Sequence, residues 1–133
     1  MYAFLADLVV VIHLAIVLYV VVGQLLILAG WGLKWGWVRN AWFRVSHLVI
    51  MAIVAAQGAL GVVCPLTIWE GDLRRLAGQS VREGSFVGRL AHDILFVDVA
   101  FETLTKIYVA FFLLVVASLV GCRPRRRRRP ESD

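Results

Sequence analysis

The chain has 133 residues, is 61% hydrophobic and carries a formal net charge of +5. Soluble chains hold roughly 45–50% apolar residues, so this composition excludes an ordinary water-soluble domain. Arg123 and Arg125–Arg129 supply six of the positive charges. The body is therefore close to neutral, and Cys64 and Cys122 are too few for a disulfide framework.

Met1–Asp7 has neither a basic n-region nor a small-residue cleavage site before the first apolar run, so a retained helix is expected rather than a cleaved leader. Leu8–Leu28, Leu48–Cys64 and Ile107–Cys122 contain no Asp, Glu, Lys or Arg. Runs of about 17–25 apolar residues cross a hydrocarbon core. The expected fold is an all-α membrane protein with three transmembrane helices over residues 4–28, 43–63 and 104–122, forming one membrane domain over residues 1–122. A Gly/Trp-rich connector, Ala29–Trp42, joins the first two, and an outer segment over residues 64–103 leads to the third. Within it Phe86, Leu90, Ala91, Ile94, Leu95 and Val97 fall away from Arg89, His92 and Asp93, which is the pattern of an amphipathic helix lying in the interface. A fourth span over Phe86–Phe101 is the competing topology, opposed by shortness and by the cost of four polar groups at bilayer depth.

Lys34, Arg39 and Arg44 flank the spans with no acid among them, and the tail over residues 123–133 is Arg-rich. Because Lys and Arg near span ends favour the cytoplasmic side, both segments are placed inside. The N-terminus and the acid-bearing outer segment are then outside, in a multi-pass membrane protein. Trp31, Trp35, Trp37, Trp42 and Trp69 all lie outside span interiors, as interfacial anchors do. Arg125, Arg126, Arg127, Arg128 and Arg129 are expected to contact anionic lipid headgroups, at about 1 kcal/mol each. The expected partners are the bilayer and, as an alternative, another membrane protein; nucleic acid is not expected.

Polar residues interrupt the spans at few places. With a rise of about 1.5 Å per residue, His13 comes near the level of Gln57, and Gln24 near His47. Two interhelical hydrogen-bond pairs are thus expected, an outer one and an inner Gln24–His47 one. A bis-histidine haem site needs both rings at one depth, whereas His13 and His47 come out about 10 Å apart. No metal and no cofactor is expected, with a haem held by His13 and His92 as the remaining alternative.

Proline breaks the helix after Cys64. Thr67 followed by Glu70 has capping-box spacing, which starts a short helix running through Leu76, and Gly78 is placed to end it. Cys64 is the one candidate nucleophile, although small apolar packing is the usual role of a free cysteine.

Ala6-Asp7-Leu8, His13-Leu14, Trp42-Phe43-Arg44, His47-Leu48, Cys64-Pro65-Leu66-Thr67 with Glu70, Ser85-Phe86-Val87, His92, Leu95-Phe96 and Tyr108 together form a pattern. It resembles the small bacterial membrane proteins of domain-of-unknown-function family 2784, over nearly the whole chain except the tail. One departure is Asp93, where the resemblance leads to a basic residue after His92. The resemblance implies this architecture and a place in the bacterial cytoplasmic (inner) membrane, and no chemistry.

The expected function is that of a small integral membrane protein without enzymatic activity, serving as an accessory or structural subunit. The alternatives are a redox or ligand-binding site at the outer face, and a small membrane enzyme using Glu70 or His92. Both draw on one candidate cluster of His13, Gln57, Cys64, Glu70, His92 and Asp93.

Overall fold

The uncharged first run continues as helix in both directions to give α1, Tyr2–Gly32, longer than the expected 4–28. The structure, a computed structural model, describes residues 1–124, so the Arg125–Arg129 run lies outside the described residues. Lys34 ends α1 from a left-handed conformation (φ +58°), with Trp35 N donating to the Gly30 carbonyl at 2.8 Å. After a 3₁₀ turn at Trp37–Arg39, Asn40 caps α2, Ala41–Ala59, by accepting from Trp42 N at 3.0 Å.

Helix α2 stops short of the expected residue 63, where the chain turns through Gly61 at φ +69°. Pro65 then takes the first position of α3, Pro65–Leu76, where its missing N–H costs nothing. The helix therefore begins two residues before Thr67, and no capping box forms: Thr67 Oγ1 is buried without a partner, and Glu70 turns to arginines instead. Gly78 at φ +72° closes α3 in a Schellman motif, with Gly78 N donating to Arg75 O and Gln79 N to Arg74 O.

Ser85 caps α4, Phe86–Leu95, by accepting from Gly88 N at 3.1 Å, and Phe96 ends it at φ +55°. Ten residues cover about 15 Å, half of a hydrocarbon core, so α4 is not a fourth span. Its amphipathic helix also ends six residues before Phe101. Helix α5, Phe101–Gly121, completes the described chain.

Among the described residues the protein is all-α, with three helices (α1, α2 and α5) long and apolar enough to cross a membrane. Helix α2 packs along α5, and α3 packs along the first half of α1. The close α2–α5 approach uses Gly58, where a Cβ would stand 3.1 Å from the Tyr108 ring. Helices α1 and α2 meet over a shorter stretch, around Val20, Gly23 and His47. Because α3 leans on α1 while α2 leans on α5, a gap opens between the two pairs.

Candidate functional site

That gap is a cavity of about 380 Å³. Its walls are apolar: Ile16, Val17 and Val20 of α1, Ile50, Met51 and Val54 of α2, Phe111 of α5. Into them project His13, Gln57, Cys64, Thr67, Ser85 and Tyr108. No Asp, Glu, Lys or Arg among the described residues lines it. Val21, Ile53 and Ile107, at its margin, are half exposed on the surfaces of the long helices.

Phe86, the first residue of α4, closes one side. Its ring stacks on His13, with centroids 4.1 Å apart and planes 18° from parallel. On the far side of Phe86 lies an open, charged hollow lined by Glu70, Arg74, Arg82, Arg89 and Asp93. Glu70 is only 4% exposed. Its Oε2 accepts from Arg89 Nη2 at 2.6 Å, and its Oε1 from Arg74 Nε at 2.9 Å. Burial, the largest single influence, pushes the Glu70 carboxyl up, but the hydrogen bonds and charges of Arg89 and Arg74 together outweigh it and hold the group below its usual range. Arg74 also donates to Asp7 Oδ1 at 3.2 Å, tying α3 to α1. Arg82 grips Asp93 through two bonds of 2.8 Å, and that pairing lowers the Asp93 carboxyl.

The six residues of the expected cluster are thus divided. His13, Gln57 and Cys64 face the apolar cavity, and Glu70 and Asp93 the charged hollow. His92 lies in a third depression over the start of α5, its Nδ1 2.8 Å from Asp98 Oδ1. Phe86 covers the His13 ring, and the two histidines line different hollows, which does not favour a shared haem. No three His, Cys, Asp or Glu side chains among the described residues are grouped to hold a metal ion. No hydrogen bond joins His13 to Gln57 there.

The inner pair is corrected as well. His47, fully buried, bonds the Val20 carbonyl through Nε2 at 2.8 Å. A carbonyl only accepts, so Nε2 carries the proton. Gln24 is 1% exposed, and neither of its amide atoms has a partner. Both side chains lie between α1 and α2 without a hydrogen bond joining them: the Val20 carbonyl takes His47 Nε2, and His47 Nδ1 is left buried without a partner, as the Gln24 amide is.

The candidate cluster left out the residues that organise the site. Arg74 stands four residues after Glu70, a spacing at which helix neighbours meet. Arg89 and Phe86 carry no such signal, since their contacts depend on how the chain returns after Gly78. Arg44, read as a topology marker and as part of the family pattern, is 2% exposed and donates through Nη2 to Ser118 O at 2.7 Å and Cys122 O at 3.2 Å, capping the last turn of α5. Lone carbonyls at a helix end attract a cation in this way.

These features define a small all-α membrane protein with an apolar cavity between its long helices and a layer of ion pairs over one end. The chain belongs to the family described as "Protein of Unknown function (DUF2784)", whose model matches residues 3–124. No curated protein and no solved structure matched it.

Proposed function

We propose that the protein binds one neutral lipid, with its apolar chain in the cavity between α1, α2 and α5. One observation carries this reading: an apolar cavity of ligand size holds a few converging polar groups, and none of them is charged. Small-molecule sites commonly run about 300–1,000 Å³ with this kind of lining. A phosphate or carboxylate head would find no cation inside it. A carbonyl or hydroxyl would find His13, Gln57, Thr67 and Tyr108, and the buried Thr67 hydroxyl has no partner of its own. The margin at Val21, Ile53 and Ile107 opens toward where hydrocarbon surrounds the spans, so a lipid reaches the cavity sideways. Binding, rather than covalent chemistry, is the role that His13 supports, since Phe86 occupies one face of the imidazole.

The setting of this activity is a multi-pass protein of the bacterial cytoplasmic membrane, with the Asp7 end outside, α4 lying in the outer interface, and the Lys34 end inside. The distribution of Lys34, Arg39, Arg44 and Arg123 supports that orientation. The lipid test is titration of a fluorescent neutral lipid, such as a polyene-labelled monoacylglycerol, into the detergent-purified protein. Saturation at one molecule per chain supports the proposal. Partitioning that never saturates, or that does so at the same level with a fatty-acid anion of equal length, contradicts it.

A further inference from the structure

At the opposite end of the bundle the charges are arranged quite differently. Arg74, Arg75, Arg82 and Arg89 each have a carboxylate within 3.2 Å. Lys34, Arg39, Arg44 and Arg123 have none among the described residues, and no acid occurs between Lys34 and Arg44. Three of these cations, Lys34, Arg39 and Arg123, line one hollow of about 360 Å³ together with the indoles of Trp31 and Trp35.

The hollow is held in shape by the fold. Arg44 ties down the last turn of α5 through Ser118 O and Cys122 O. Arg39 Nε takes the next free carbonyl, that of Arg123, at 3.0 Å. This brings the end of α5 against the connector, where Trp31 packs so closely on Gly121 that a Cβ there would come within 2.8 Å of the ring. Lys34 itself occupies a left-handed position, φ +58°. The equivalent position after α3 is filled by a glycine, Gly78, and glycines flank Lys34 at 32 and 36. Lys34 thus holds a conformation that favours glycine, as Phe96 does at the end of α4.

We propose that this hollow is a binding site for a phosphate group, independent of the neutral-lipid cavity and beyond it in function. Guanidinium and ammonium groups without carboxylate partners match the charge and the acceptor geometry of phosphate oxygens. The two indoles suit the headgroup layer, where a phospholipid carries its phosphate. Basic pockets at the ends of membrane helices hold headgroups by this combination. The shared chemistry is the phosphate, whether from a lipid headgroup or free in solution.

The test uses the full chain in nanodiscs, in a background where Arg125–Arg129 are changed to Gln so that the tail does not contribute. Native mass spectrometry counts phosphatidylglycerol retained after release from mixed phosphatidylcholine/phosphatidylglycerol discs. Line broadening of inorganic phosphate in ³¹P NMR, in phosphatidylcholine discs, reads the soluble source. The decisive variant is Lys34→Gly, which removes the ammonium and relieves the backbone together. It is expected to melt no lower than the parent while losing at least tenfold in retention or in broadening, and whichever readout responds names the source. Retention and broadening unchanged by Lys34→Gly overturn the site. So does a parent protein that neither prefers phosphatidylglycerol nor broadens phosphate.

Discussion

Arg89 Nη2 donates to Glu70 Oε2 at 2.6 Å, joining α4 to α3 through residues 19 positions apart. Glu70 is nearly buried and Arg89 mostly so, so the pair is screened far less than a surface ion pair. Removing one partner of such a pair leaves the other uncompensated. Glu70→Gln is therefore expected to lower stability by about 3 kcal/mol, read as a fall in melting temperature in detergent. An unchanged melting temperature would show that the pair does not hold the two helices together.

The same pair sets a pH dependence. The folded Glu70 carboxyl titrates below its ordinary value of 4.5, so its contribution is complete above that value and is lost as pH falls through the depressed one. The melting difference between wild type and Glu70→Gln is expected to be constant from pH 7 down to about pH 5 and to shrink on further acidification. A difference that grows with acid contradicts the assignment.

Phe86 covers the face of His13, and both are 8% exposed. Phe86→Ala opens that side of the cavity, at an expected cost of about 3 kcal/mol. His13 then becomes accessible. Carbethoxylation of His13, followed by peptide mass, is expected to rise several-fold while that of fully buried His47 does not. Equal, low modification of His13 in both proteins would mean that another group covers the ring.

Gln24 buries an amide with no partner on either atom. A buried unsatisfied polar group costs about 1–3 kcal/mol, so Gln24→Met, of similar volume, is expected to raise stability by about 1 kcal/mol. A lower melting temperature in Gln24→Met contradicts the view that the amide is unsatisfied.

Two glycines near the end of α1 make a controlled comparison. At Gly30 a Cβ would stand 2.6 Å from Val38 Cγ1, whereas at Gly32 nothing lies within 4 Å. Gly30→Ala is expected to lower the melting temperature by pushing out the Trp37–Arg39 turn. Gly32→Ala is expected to raise it slightly, since alanine in a helix is better than glycine by about 0.5–1 kcal/mol. Equal effects would remove the close approach of α1 and Val38.

The spans could be read from the chain because lipid imposes a strong rule. Charge is excluded from span interiors, and the uncharged runs of 21, 17 and 16 residues from Leu8, Leu48 and Ile107 mark the three long helices. Helix ends were less legible. Pro65 started α3 earlier than the Thr67–Glu70 spacing suggested, because a proline suits the first helical position and two arginines compete for Glu70. Counting depth brought Gln24 and His47 to one level, yet depth does not say which acceptor an imidazole takes. The Val20 carbonyl, one turn from Gln24, won. The cavity had no sequence signal of its own. It exists because α3 leans on α1 and α2 on α5, and that partition follows from Gly61 and the chain's return at Gly78, not from any periodicity.

The most direct test of lipid binding is lipid analysis by native mass spectrometry of the purified wild-type protein and of Val17→Phe, which places a ring in the cavity from α1. The account predicts one neutral lipid per wild-type chain, absent from Val17→Phe at an unchanged melting temperature. A wild-type protein without bound neutral lipid, or a Val17→Phe protein that retains it in full, would contradict the account.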